Sequence, residues 1–508
     1  MAIWGAERVA LAPVRGQLSD RARLGLVAVP MAAGLVTLAV AATARPATVG
    51  LVAAVAATGV LAVRAPHAAL ALAVLLFAFE GVVKLLLRIE PTPLPGGPKA
   101  VGAFGLDLAL GLALVGVLFA AGRAAAGDLW LRTTRGERLA LMLLPAFVAL
   151  SAVQVALGPD LERGLDGFRL FQAYMLVALG AAVACWRPSI QRRAAVALGI
   201  ALAVAAYAAL RVLVEPGALE RDVLVGAGGQ PAYGNDVRAA GSFSAAIGME
   251  SFLVPAVVFA AFAGALLPRL RAIASSVALL GTIALVAAYG RAPLAALVVG
   301  LGFAALVLVT SRGVRRRTKL IAVAAVMAVA SSGFGGLVLV SDSWELRERA
   351  AVLVDPFGDR PWSMRPRLDR WLDLGGDAIG RPVGKGVGSV GAATARGGGT
   401  PVATDNSYVK VLVDQGPAAA LVFLAGVIGF VAVVARRLRR ARGERRALGL
   451  AALGGVVAFL ALSATAETVE QPGKVAAWAL AGLALAAAFG TEPAADAPTD
   501  GRGSPADA

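Results

Sequence analysis

The chain has little of what soluble catalysis and metal binding usually draw on. Its 508 residues include one cysteine, Cys185, and one histidine, His67. A single thiol excludes an internal disulfide and a cysteine-based metal site, and a single imidazole excludes a histidine metal cluster. Cys185 closes an apolar run, where a buried inert thiol is expected, and His67 opens another, where interfacial packing is expected. Charge is also scarce, at 16% of residues against 58% apolar, and cations outnumber anions by 48 to 32.

What the chain does have is long apolar runs, with a mean hydropathy of +0.77. Runs long enough to cross a hydrocarbon core recur from residue 24 to residue 490, so the bilayer is the solvent. Their number predicts about fourteen spans of roughly 20 residues each. They fall near 24–43, 47–63, 67–87, 104–121, 138–157, 167–186, 194–213, 245–267, 272–288, 292–310, 319–341, 417–435, 447–465 and 474–490. The first run carries no small-residue cleavage site before the second, which predicts a retained helix in place of a signal peptide.

A formal net charge of +16 could suggest a nucleic-acid partner. Its distribution argues against one. Arginines cluster at 8–23, 123–138, 187–193, 269–271, 312–319 and 436–446, which are alternate loops. That pattern predicts both termini in the cytoplasm, and RRLRRARGERR (436–446) reads as an anchor against anionic lipid.

With that topology the outward loops are 88–103, 158–166, 214–244, 289–291, 342–416 and 466–473. The ionisable residues inside or at the ends of spans then gather on the outer side: Glu80, Lys84, Asp107, Arg169, Arg211, Glu250 and Arg291. Charge at membrane depth is expensive and normally faces a cavity or another charge. The grouping predicts a charged chamber open to the outside, with snorkelling as the rival for Arg211 and Asp107 and an i,i+4 ion pair as the rival for Glu80 and Lys84.

The loop 342–416 is the largest polar segment, too small for an independent catalytic domain. Leu368, Trp371, Leu372 and Ile379 recur at helical spacing between Asp369, Arg370 and Asp373, which predicts a short amphipathic helix over 367–379 on the outer surface. GRPVGKGVGSVG (380–391) fails the spacing of a nucleotide phosphate loop. A tight turn returning the chain to the membrane is the favoured reading. The acidic tail 491–508 is expected to be disordered.

Four blocks, in order, carry a resemblance: RAAGSFSAAIGMESFLVP (238–255), YGRAPLAALVVG (289–300), RLDRWLDLGGDAIGRPVGKGVG (367–388) and DNSYVKVLVDQGPAAALVFL (405–424). They resemble an arginine before Gly-x-Phe leading into a span, a short outer loop with a diphosphate-binding arginine, an Arg-x-x-x-Trp helix before a Pro and a Gly-x-Gly turn, and a closing Asn-x-Tyr-Leu motif. Together they are similar to the O-antigen ligase and polymerase superfamily of membrane glycosyltransferases, over roughly residues 230–435. The ligases usually place a histidine before the asparagine, where Asp405 stands here, and the Asp-Asn pair tilts the resemblance toward the polymerases.

That resemblance implies an all-α, GT-C-like polytopic fold. Its parts would be N-terminal helices over 1–230, a core over 231–435 containing the outer loop, C-terminal helices over 436–490 and the tail. It also implies transfer of a glycan from undecaprenyl diphosphate to an acceptor sugar hydroxyl, with inversion, without cofactor, and alongside a chain-length regulator. Negative charge developing on the departing diphosphate calls for preorganised cations, best supplied by arginine. Arg291 is the first candidate and Arg367 the second, with Arg238, Arg365 and Arg169 supporting and no divalent metal expected.

The acceptor hydroxyl needs a proton acceptor. Asp405 fills that place or else caps the helix starting at Ser407, or does both. Glu250 is a further candidate base, and Asn406 and Tyr408 could orient the sugar. Two other classes stay open: a flippase or exporter of a lipid-linked glycan, and a non-catalytic envelope scaffold.

Overall fold

The computed structural model describes residues 46–89, 97–186, 190–214, 240–288, 290–311, 364–396 and 402–490, with 316, 317, 319, 320 and 324. The expectations for a span at 24–43, for most of the span at 319–341, for Arg238 and for the tail lie outside these residues.

The described chain is helical, with no strand among the described residues. In order the helices are α1 (Pro46–Arg64), α2 (Pro66–Ala78), α3 (Glu80–Ile89), α4 (Gly97–Val117), α5 (Arg123–Arg132), α6 (Arg135–Leu157), α7 (Leu161–Leu170), α8 (Gln172–Cys185) and α9 (Ile190–Leu213). There follow α10 (Ala246–Leu266), α11 (Arg271–Ala287), α12 (Arg291–Val309), α13 (Arg365–Ile379), α14 (Ala392–Arg396), α15 (Ser407–Arg440), α16 (Gly443–Ser463) and α17 (Lys474–Phe489). Among the described residues nine helical segments are long and apolar enough to cross a membrane, or ten if a bent pair counts as one span. The architecture is that of an all-α, multi-pass membrane protein.

Burial sorts the helices into layers. In α10, 83% of the most apolar window is buried, against 17% in α6. An apolar stretch with little burial inside the protein is what a lipid-facing helix requires. Helices α16 and α17 pack on α10, and α12 packs on α16. At the α12–α16 contact a Cβ on Gly300 would stand 2.5 Å from the Ala458 Cβ, so the backbones approach as only small residues allow.

Several elements differ from the sequence expectation. The span expected at 67–87 is two helices, α2 and α3, bent by 66° at Phe79. The backbone groups released at the bend find partners on the segment before α10: Gly81 N donates to Ser242 O (2.9 Å), and Ala78 O accepts from Ser242 Oγ (2.5 Å). Satisfaction of that kind is what makes a broken helix tolerable at membrane depth. Next, the arginine-bearing stretch after residue 122, expected as loop, is helical as α5 and joins α4 through a π-helical turn, Leu118–Gly122.

Finally, the last part of the expected outer loop is helical, as the first turns of α15. That helix is broken within, because Gly416 adopts φ 80°, ψ 172° immediately before Pro417. A residue with a Cβ strains at this angle. The carbonyl of Gln415 left free at the break accepts from Gln154 Nε2 of α6 (3.0 Å), and its side-chain Oε1 accepts from Ser151 Oγ (2.7 Å).

The two ends of the bundle differ in chemistry. One collects Arg64, Arg132, Arg138, Arg193, Arg271 and Arg437 at helix ends. There Arg437 Nε donates to Glu137 Oε1 (2.7 Å), tying α15 to the capped start of α6. The opposite end carries the starts of α10, α12, α15 and α17, together with α13.

Candidate functional site

The second end holds most of the residues picked out in the sequence. Helix α13 begins at Arg365, with a proline at its first turn where a missing N–H costs nothing. Residues four apart share a helix face, so Arg367 and Trp371 point the same way. Trp371 Nε1 donates to Thr404 O (2.7 Å), and Arg367 donates to Thr465 O (3.4 Å). One turn of helix therefore contacts two separate turns, 402–406 and 464–467. Arg370, on the adjacent flank, meets Asp405 Oδ2 at 3.2 Å.

Asp405 has φ 48°, the one positive value among described non-glycine residues. It is not the helix cap. Asn406 is: its side chain accepts from Tyr408 N (2.8 Å) and Val409 N (3.1 Å). The left-handed backbone at Asp405 turns its carboxylate, 38% exposed, outward to Arg370. Tyr408 donates to Leu460 O (2.9 Å) from a partly buried position, so both it and Asn406 serve to hold α15 in place.

Arg291 is the first residue of α12, with Gly290 as its cap. A cation at a helix N-terminus sits at the positive end of the dipole and is best accommodated beside an anion. Glu250 of α10, 4% exposed, provides one nearby: a Cβ on Gly290 would stand 2.5 Å from its Oε1. Because Gly300 packs against α16 near Ala458, Arg291 lies about 14 Å along α12 toward the end where α16 gives way to the 464–467 turn. Arg365 is exposed on the first turn of α13.

Arg169 is engaged elsewhere. It donates to Asp107 Oδ2 (2.7 Å) and lies 3.5 Å from Asp166, while Tyr174 donates to Asp107 Oδ1 (2.6 Å). Above the Tyr174 ring, at 3.9 Å, stands the ammonium of Lys474, 1% exposed, which donates to Gln471 O (3.0 Å). For Glu80 and Lys84 the rival reading holds: the two form an i,i+4 ion pair at 2.5 Å.

Beneath the Asp405 turn lies a charge cluster that sequence reasoning missed. Lys410 Nζ is 2.9 Å from Asp414 Oδ2 and 2.9 Å from Glu470 Oε1, with Glu467 Oε1 at 4.0 Å, and it donates to Val390 O. Asp414 accepts from Ser389 Oγ (2.7 Å), Val390 N (3.1 Å) and Gly388 N (3.3 Å), and Glu470 accepts from Ala392 N (2.6 Å). The glycine-rich segment 380–391 is thus a tight turn whose inward amides are occupied by the chain's own carboxylate.

Three carboxylates around one ammonium leave excess negative charge in a buried place. Burial first, and then the neighbouring Glu470 charge, raise the Glu467 carboxyl from 4.5 to about 7. The Lys410–Asp414 pair, spaced i,i+4, was the available sequence signal for this cluster. At the other end of the turn, the hydrogen bond from Lys385 holds the exposed Asp377 carboxyl below its usual range.

Chemically, the end presents guanidinium groups at Arg291, Arg365, Arg367 and Arg370, an outward carboxylate at Asp405 and a buried cluster that fixes the turns bearing them. Beside them the outer face of α13 is apolar, with Leu368, Leu372 and Ile379 exposed at 40%, 65% and 67%. Compared with known proteins, the chain matches no family model and no curated sequence.

Proposed function

We propose that this chain is a membrane glycosyltransferase that moves a glycan from undecaprenyl diphosphate to an acceptor sugar hydroxyl on the outer side of the cytoplasmic membrane, with polymerisation favoured over ligation. The observation that carries the reading is the meeting of α13 with the Asp405 and Thr465 turns. Arg367, Arg370 and Trp371 converge there, at the bundle end where Arg291 opens α12. The four resembling sequence blocks and the crowding of basic residues at the other end support the same reading and orient it.

In this reading the exposed apolar face of α13 lies at the bilayer interface beside the isoprenoid chain. Arg291 and Arg367, with Arg365, hold the diphosphate. The bond between the anomeric carbon and the phosphate oxygen breaks, and its electron pair stays on the diphosphate, where the guanidinium groups stabilise it. The acceptor oxygen attacks the anomeric carbon from the opposite face, and its proton passes to Asp405. Trp371 and the buried cluster position the turns without touching the reacting atoms.

Replacing Arg291 or Arg367 by Ala tests this. The variants should insert normally and lose glycan product, and normal product from both would overturn the proposal. A second reading, a flippase or exporter of a lipid-linked glycan, draws on the bent α2–α3 pair and the buried Lys474, since broken helices and buried charge are common in carriers. It predicts that the lipid-linked substrate of an inactive variant accumulates on the cytoplasmic leaflet instead of the outer one.

A further inference from the structure

Away from the Asp405 turn, a groove of about 120 Å³ lies among α2, α8, α9, α10 and α17. Its walls are apolar, with Leu70, Ile200, Phe252, Phe259 and Leu480 among them. From Arg193 to Ala201 it follows eight residues of α9, which is about 12 Å of helix. Val196 on its rim is 41% exposed, so the groove opens on the face that lipid would cover.

Polar groups line only its basic end, where His67, Cys185 and Arg193 meet at the termini of α2, α8 and α9. His67 Nδ1 and Arg193 Nε are buried there with no hydrogen-bond partner among the described residues. No carboxylate among the described residues lines the groove. A buried guanidinium nitrogen without an anion is costly, and an apolar filler alone would leave it so. The occupant that meets both demands carries a narrow apolar chain and a negative head at the basic end.

We infer that the groove binds one acyl chain of an anionic phospholipid, whose phosphate meets Arg193 and His67. Charge complementarity selects it: the same end carries the arginine clusters that attract an anionic leaflet. A zwitterionic lipid offers the same tail without net charge, and free phosphate offers the charge without the tail. The site is independent of glycan transfer.

The test uses the full-length protein in detergent, delipidated and examined by native mass spectrometry with phosphatidylglycerol or phosphatidylcholine of matched chains. Phosphatidylglycerol should be retained about fivefold better, the worth of one guanidinium near a lipid head, and Arg193→Gln should bring the two to parity. Val196→Trp, at the exposed rim, should reduce retention of both, and inorganic phosphate should not compete.

Equal retention of the two lipids by the unaltered protein would overturn the inference, as would a preference that survives Arg193→Gln. A photoreactive phosphatidylglycerol decides the case without any variant. Labels should concentrate on the α2 and α9 peptides. Labels spread evenly around the bundle, or a cross-link showing residues 1–45 of this chain seated in the groove, would end the proposal.

Discussion

Lys410 and Glu470 meet at 2.9 Å between the first turn of α15 and the turn that precedes α17, and both are almost completely buried. The same ammonium holds Asp414, so removing it strands two buried carboxylates. Lys410→Met should destabilise the protein by about 3–5 kcal/mol, the usual cost of an uncompensated buried charge. Thermal unfolding in detergent measures this, and adding Glu470→Gln should recover part of the loss. An unchanged melting temperature in the single variant would mean that the cluster contributes nothing to the fold.

Glu467 gives the fold a pH dependence of defined sign. Its carboxyl is raised from 4.5 to about 7, so the folded state binds more proton than the unfolded chain between those values. Stability from this group is therefore greatest below pH 4.5 and declines as pH rises toward 7. Glu467→Gln should flatten that decline between pH 5 and pH 8, which melting curves at the two values would reveal. An undiminished slope in the variant would remove Glu467 as its source.

Gly391 has φ 85°, and a Cβ on it would collide with Glu467 Oε1 and Glu470 Oε2. Gly391→Ala should cost on the order of 1–3 kcal/mol from backbone strain alone. It should also loosen the 380–391 turn enough to speed limited proteolysis there. Wild-type resistance to protease in the variant would contradict the packing described.

The Arg370–Asp405 pair is of the opposite kind, with both side chains well exposed. Exposed pairs contribute about 0–1 kcal/mol, so Arg370→Ala and Asp405→Asn should barely move the melting temperature. If Asp405 takes the acceptor proton, Asp405→Asn should nevertheless lower glycan transfer by about 10²-fold or more. Transfer that falls only in step with stability would assign Asp405 to the turn alone.

Much of the helical fold is legible in the sequence, and the exceptions have physical causes. The helix expected over 367–379 from the spacing of Leu368, Trp371, Leu372 and Ile379 is present as Arg365–Ile379, but those four do not act as one face. Gly375 and Ala378 form the buried side with Trp371 and Leu374 beside them, which leaves Leu368, Leu372 and Ile379 outward. Small residues share in the contact face here, and hydrophobicity alone does not pick them.

That Asn406 caps α15 in place of the expected Asp405 turned on a single left-handed residue that composition does not specify. Lys410 and Glu470 do not announce themselves in the sequence because their partnership spans distant segments. The bend at Phe79 was hidden because its replacement hydrogen bonds come from Ser242, far along the chain.

The break at Gly416 divides one long rod into two levers. The upper one, Asn406 to Gln415, is bolted to the 380–391 turn through Lys385 N–Val413 O and Gly386 N–Asp414 O. The lower one carries a stretch long and apolar enough to cross a membrane. In the proposed orientation, a tilt of the lower lever would be taken up at Gly416, leaving the distance between Asp405 and Arg370 to the upper one.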